Sequence, residues 1–280
     1  MKIFFRYPVR IAAIALALVI SWATHAIAHD LFLKPDAFFV APNGTVHLTA
    51  LNGTFSTSEA AVSADRLLNL SIVSPAGTAK ADTTGWRADG KASRWTATVG
   101  AAGTYVFGAS LRPRLITLDG AKFNAYLAED GLPDIMAARK ASGEAARSAT
   151  ERYAKHVKAL VQVGDTRTAT FGAVLGFPAE LVPLSNPYAV ASGGGILRVR
   201  ALVDGAPVPN QVVLAGGRTA SGGRIKEQSV RTNTSGEAAI RLGTPGTWYV
   251  KFIRMTRIPA ATHDSVDYES KWATLTFAVR

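Results

Sequence analysis

The 280-residue sequence contains no cysteine. This absence excludes disulfides, thiolate metal sites, CxxC redox chemistry and cysteine nucleophiles. A chain of this length buries enough surface to fold without covalent cross-links. Any bound metal ion must therefore be held by imidazole, carboxylate, amine or carbonyl groups.

The signatures of common enzymes and of nucleic-acid-binding proteins are also missing. The sequence has no GxSxG nucleophile elbow, no HExxH motif, no Walker loop and no Rossmann fingerprint. It has no long run of like charge, although its net charge is +11. We therefore expect neither an enzyme of these classes nor a nucleic-acid partner.

The first 28 residues have the composition of a bacterial secretory signal peptide. Lys2, Arg6 and Arg10 precede the short apolar run "IAAIALALVI", and "AIA" at 26–28 is an A-x-A cleavage pattern. The alternatives are an uncleaved anchor or cleavage after Ala26. We expect cleavage near this pattern, a periplasmic location and no membrane span in the mature chain. That chain keeps 28 basic and 20 acidic residues, which gives it a net charge of +8.

Most of the remaining sequence has the pattern of β-strands. Val46, Leu48 and Ala50 alternate with polar residues, and Gly- or Pro-containing turns separate several such runs. Ala273, Leu275, Phe277 and Val279 alternate in the last run, "KWATLTFAVR". Short alternating runs of this kind are typical of β-sandwiches.

A different pattern lies between the two β-rich segments. Residues 122–163 are rich in Ala, Glu, Lys and Leu, and Tyr153, Val157 and Leu160 recur at helical spacing. Glu151 precedes Lys155 by four residues, the favourable order for an ion pair on a helix. We therefore predict a mainly β protein with a signal peptide (1–28), an N-terminal β-sandwich (29–120), a helical connector (121–165) and a C-terminal β-sandwich (166–280).

Several stretches resemble the exported bacterial NikM-like family, which is associated with nickel uptake. They span nearly the whole mature chain in order: "AHDLFLKPDAFFVAP", "LNGTFSTSEAAVSADRLLNLSIV", "KFNAYLAEDGL", "ERYAKHVKALVQVGD", "LGFPAELVPLSNPYAV" and "DYESKWATLTF". The resemblance implies that the mature chain begins at His29. The segments "DGAPVPNQVVLAGG", "TNTSGEAAIRL" and "TPGTWYVKF" also resemble the transthyretin-like or carboxypeptidase-regulatory-like sandwich, which implies a fold and no reaction.

His29 is the strongest candidate metal ligand. Cleavage after Ala28 gives it a free α-amine beside its imidazole, and both groups can donate to a metal near neutral pH. Two nitrogens from one residue suit Ni(II) or Cu(II). The alternative is that His29 merely follows a processing site at a frayed end.

Other candidate ligands lie far from His29 in the sequence. His47 is expected on the polar face of a strand, and His263 and Glu269 lie in the acidic segment "THDSVDYES". They could ligate a metal or orient a ligating histidine, or simply be exposed polar residues. The segment "LNGTFSTSEAAVSADR", which contains Glu59, could line a pocket near His29. His156 is expected on the connector helix, solvated or in helix packing.

Three functions are consistent with these features. The first is a periplasmic accessory protein that binds Ni(II), Cu(II) or Co(II) through His29 and delivers it to an envelope transporter. The second is a metal-free module for protein–protein interaction in the envelope. The third is a copper oxygenase with an N-terminal histidine, which would need a second well-placed histidine.

Overall fold

The computed structural model describes residues 29–190, 194–259 and 265–280. The predicted signal peptide and His263 lie outside these residues. The described part is mainly β, as predicted, with strands numbered in chain order. No helix in the described ranges is long and apolar enough to cross a membrane.

Three sheets form the framework of the described residues. The N-terminal sheet has the strand order β1-β3-β7-β6. Its strands are β1 (Asp30–Pro35), β3 (Thr45–Gly53), β6 (Trp86–Asp89) and β7 (Ala92–Thr98). The C-terminal sheet consists of β11 (Ala179–Pro183), β12 (Gly195–Val203), β13 (Ala206–Pro207) and β16 (Glu237–Leu242).

The central sheet has ten strands, and its main path runs β15-β14-β17-β18-β10-β8-β4-β5. These strands are β4 (Leu67–Ser74), β5 (Gly77–Lys80), β8 (Gly103–Leu111), β10 (Ala149–Val163), β14 (Val212–Thr219), β15 (Arg224–Arg231), β17 (Gly246–Arg257) and β18 (Tyr268–Val279). The short strands β2 (Phe39–Val40) and β9 (Arg114–Leu118) pair with β10. The sheet therefore combines strands from both predicted sandwiches and from the connector between them. The predicted domain boundaries stay a prediction.

The hydrophobic core has three parts. One lies between the N-terminal sheet and the β4, β8 and β10 strands, and another lies between the C-terminal sheet and the central sheet. The third packs two helices, α1 (Gly120–Glu129) and α2 (Pro133–Ala141), against the ends of β17 and β18. The Asp119 side chain caps α1 by accepting a hydrogen bond from the Lys122 amide at 2.8 Å.

The prediction of a helix through residue 163 is wrong. The two helices end at Ala141, and residues 149–163 form the long strand β10. β18 pairs with β10 in parallel, and β8 and β9 pair with it antiparallel. Because hydrophobic residues pack against both faces of β10, residues 154–163 are all buried, and buried and exposed positions do not alternate. Tertiary packing thus overrides the helical composition.

Candidate functional site

Strand β1 fixes the position of His29. It pairs with β3, with Asp30 opposite Gly53, and Leu31 and Leu33 are buried in the core. The Thr274 hydroxyl of β18 donates a hydrogen bond to the Leu31 carbonyl at 2.8 Å. β1 is therefore held by its own sheet and by the central sheet, and His29 directly precedes this anchored strand.

The His29 side chain contacts a carboxylate. Its Nε2 atom lies 2.9 Å from Glu59 Oε2, and the imidazole side chain is only 23% exposed. The Glu59 amide donates to the Asn52 carbonyl at 3.0 Å, which anchors this part of the loop to β3. The loop that the sequence suggested as a pocket wall thus reaches His29.

Lys155 holds the backbone of the same residue. Its ammonium donates a hydrogen bond to the His29 carbonyl and another to Asn52 Oδ1 at 3.1 Å. Burial lowers the pKa of Lys155 to about 8, although the carboxylates of Asp30 and Asp130 act in the opposite direction. His29 is therefore held at both its ring and its carbonyl group.

A buried charge cluster lies next to His29. Lys251 Nζ is 2.5 Å from Asp30 Oδ2 and 2.7 Å from Asp130 Oδ1, and the three side chains are 7–13% exposed. Burial alone would lower the pKa of Lys251, but the two carboxylates raise it above its usual range. Burial raises the pKa of Asp130 to about 7, against the effect of the Lys251 charge. One ammonium thus compensates two buried carboxylates incompletely.

These residues line an open cleft of about 330 Å³, the His29 cleft. Tyr249 contributes a hydroxyl that donates to Glu227 Oε2 at 2.7 Å, and burial raises the pKa of this phenol above its usual range. The cleft lining is His29, Asp30, Phe32, Gly53, Thr54, Phe55, Glu129, Asp130, Arg224, Glu227, Tyr249 and Lys251. Within the described residues, no three His, Cys, Asp or Glu side chains are grouped to hold a metal ion.

The other predicted ligands do not join His29. The Asp36 amide bonds the His47 carbonyl, so His47 lies at the far end of β1, about 20 Å from His29 by strand rise. Glu269 pairs with Arg152 at 3.1 Å. Because Arg152 lies three positions from Lys155 on β10, this pair is on the opposite face of the central sheet.

His156 is neither solvated nor on a helix, which corrects the expectation from sequence. It lies on β10 and is 2% exposed, and its Nδ1 is 2.8 Å from Ser110 Oγ. Burial, followed by the charge of Lys271, lowers its pKa to about 4. The ring is therefore a neutral core group at physiological pH.

The sequence did not identify Lys155, Asp130 and Lys251 as neighbours of His29. They come from β10, the end of α1 and β17, so only long-range topology brings them together. The one local signal was Asp30, a carboxylate directly after His29. Because side chains alternate along a strand, the Asp30 side chain points to the opposite side of β1 from that of Leu31, and it contacts Lys251.

The fold and the site define a mainly β protein with a polar cleft at the start of its first strand. The chain belongs to the family described as Domain of unknown function (DUF4198), which matches residues 26–256. No curated protein matches the chain. The more specific resemblance to NikM-like proteins stays a prediction.

Three solved structures show distant similarity. A DUF4785 family protein from Legionella pneumophila is 10% identical, with a TM-score of 0.24 over 79% of this chain and 52% of that one. A tetra-tandem repeat from the extending region of a large adhesion protein is 13% identical, with a TM-score of 0.23 over 89% and 49%. The Escherichia coli adhesin FdeC is 14% identical, with a TM-score of 0.22 over 90% and 63%. The chain thus spans about half to two-thirds of these structures, and TM-scores this low do not define a shared fold.

Proposed function

We propose that this chain is a periplasmic accessory protein that captures a transition-metal ion at His29 and delivers it to an envelope transporter. The contact between His29 Nε2 and Glu59 at 2.9 Å carries the proposal. A carboxylate that accepts from one ring nitrogen fixes the tautomer and leaves the other nitrogen as a lone-pair donor. Here that donor is Nδ1, the ring nitrogen nearer the backbone.

Cleavage after Ala28 supplies the second donor. The new α-amine belongs to the same residue as Nδ1, so the two nitrogens can chelate one ion. Nitrogen-rich chelation suits Ni(II) and Cu(II), and Co(II) accepts the same donors less strongly. The resemblance to nickel-uptake-associated proteins favours nickel as the cargo.

The small number of donors supports delivery rather than permanent storage. No cluster of three metal-binding side chains is found in the part of the chain that the structure describes. The amine and imidazole therefore leave coordination positions open to solvent in the His29 cleft. Open positions allow a partner to attack and remove the ion, as capture and transfer require.

The test is a calorimetric titration of exported protein whose mass confirms that it starts at His29. We expect one Ni(II) or Cu(II) ion per chain in the wild type, and at least about tenfold weaker binding for His29→Ala. His47→Ala is the matched control, because His47 is an exposed histidine at the far end of β1. Glu59→Gln should weaken binding less than His29→Ala, because it removes only the orienting carboxylate.

Two results would contradict the proposal. One is the same affinity in the wild type and in His29→Ala. The other is unchanged binding by protein that retains residues before His29, since that protein lacks the free amine. A partner that is retained by both His29→Ala and chelator-treated protein would instead favour the metal-free interaction module.

A further inference from the structure

Lys155 also lines a second cleft. It has a volume of about 120 Å³, the share of about four water molecules in the liquid. Its polar lining includes Asn52, Arg66, Arg114, Tyr153 and Lys155. We call it the Arg66 cleft.

The Arg66 cleft concentrates positive charge. Arg66, Arg114 and Lys155 all line it, and none of the three forms an ion pair with a carboxylate among the described residues. Burial, followed by the charge of Arg114, lowers the pKa of the Arg66 guanidinium. Three cations therefore surround a small cavity without a direct ion pair, although Asp65 acts on Arg66 and Asp30 acts on Lys155 at longer range.

Arg66 also has an unused hydrogen-bond donor. The residue is 9% exposed and lies in a short 3-10 turn, Ala64–Arg66. Its Nη2 atom donates to the Arg112 carbonyl at 2.9 Å, but its buried Nε has no acceptor. An unpaired guanidinium N–H of this kind carries a desolvation cost that an anionic acceptor relieves.

Lys155 retains donor capacity as well. An ammonium group has three N–H donors, and those of Lys155 bond the His29 carbonyl and Asn52 Oδ1. One donor remains for a ligand in the cleft. Arg114 is exposed, so its guanidinium can close over a ligand from the solvent side.

One wall of the cleft is preorganised. Val62 lies in the loop that lines the cleft, and its carbonyl accepts hydrogen bonds from Trp86 Nε1 at 2.7 Å and Ser93 Oγ at 2.8 Å. The Ser93 hydroxyl also bonds the Val62 amide at 2.8 Å. A fixed wall lowers the ordering cost of binding a small ligand.

We propose that the Arg66 cleft binds a small oxyanion, a carboxylate or a phosphate group, through the guanidinium groups of Arg66 and Arg114 and the ammonium group of Lys155. The site is separate from the proposed metal chelate, because the ligands of that chelate are the amine and imidazole of His29. The two proposals can therefore fail independently.

The test uses inorganic phosphate and acetate as probes, each titrated into exported protein at pH 7 and constant ionic strength. The ¹⁵N-correlated NMR signal of the Arg66 Nε–H group reports binding directly. We expect a saturable shift with a millimolar or lower Kd, weakened about tenfold or more by Arg114→Ala. Arg66→Lys retains the charge but removes the guanidinium fork, and should weaken binding similarly in a calorimetric titration.

Two controls make the result specific. Arg87→Ala removes an exposed arginine from β6, outside the cleft, and should leave the Kd unchanged. His29→Ala should also leave it unchanged, which separates this site from the metal site. Binding of phosphate alone shows that the site selects a phosphate group, and binding of acetate alone shows that it selects a carboxylate. Lack of saturation below about 10 mM for both probes, or equal affinity in Arg114→Ala, overturns the proposal.

Discussion

Replacing Lys251 by methionine is expected to destabilise the protein strongly. Lys251 is the only cation within 4.0 Å of Asp30 and Asp130 among the described residues, and its side chain is 7% exposed. Methionine retains much of the aliphatic length of lysine but removes the charge. The substitution therefore leaves two buried carboxylates without their ammonium partner.

The expected loss follows from this burial. Removing one partner of a buried ion pair costs about 3–5 kcal/mol, because the remaining charge stays desolvated. For a chain of this size, that loss corresponds to a fall in Tm of roughly 6–20 °C. The penalty should shrink as the pH falls through about 7, the pKa of Asp130, since a protonated carboxyl group needs no cation.

The assay is urea unfolding, monitored by tryptophan fluorescence at pH 7 and again near pH 4.5. Lys271→Met is the matched control, because Lys271 pairs with Asp204, a side chain that is 62% exposed. An exposed pair contributes only about 0–1 kcal/mol. The triple variant Asp30→Asn, Asp130→Asn, Lys251→Met should recover part of the lost stability, because it removes the two carboxylates together with their ammonium, while the buried Lys155 loses their favourable charge. If Lys251→Met lowers the free energy of unfolding no more than Lys271→Met does, Lys251 does not compensate two buried carboxylates.

Three further predictions concern the core. Between pH 7 and pH 4, the free energy of unfolding of the wild type should fall by about 3 kcal/mol more than that of His156→Gln. The pKa of His156 is about 4 in the folded protein and about 6.5 in the unfolded chain. The unfolded chain therefore takes up the proton first, which favours unfolding as the pH falls. Glu180→Gln should cost about 3–5 kcal/mol in urea unfolding, because it leaves the buried ammonium of Lys158 without its carboxylate. Gly217→Ala should cost about 1–3 kcal/mol, measured as a lower Tm, because its Cβ would lie 2.1 Å from the Thr247 carbonyl oxygen.

Strands with one buried face could be predicted from the sequence. In β3, Val46, Leu48 and Ala50 are buried while Thr45 and His47 are exposed, as the alternation indicated. β10 could not be predicted in this way. Its helical spacing at Tyr153, Val157 and Leu160 is an incidental feature of a strand that is buried on both faces.

The site was predictable only where it is local. The sequence identified His29 and the loop that contains Glu59, because both follow from the leader and from the chain order. The ion pair expected between Glu151 and Lys155 on a helix is wrong, because both residues lie on the strand β10 and Glu151 accepts hydrogen bonds from Tyr126 and Ser270 instead. The ion pairs of Lys251 required the topology, because Asp30 and Lys251 are 221 residues apart.

The buried charges next to His29 help to fix the register of β1. Buried ion pairs seldom add net stability compared with apolar residues of the same volume, but they penalise every arrangement that separates their charges. A slip of β1 by one residue would turn Asp30 away from Lys251 and move Leu31 and Leu33 out of the core cluster that they occupy. The register that pairs Asp30 with Lys251 is the same one that brings the carbonyl of His29 to Lys155. The buried cluster thus helps to fix the position of His29, the first residue of the predicted mature chain.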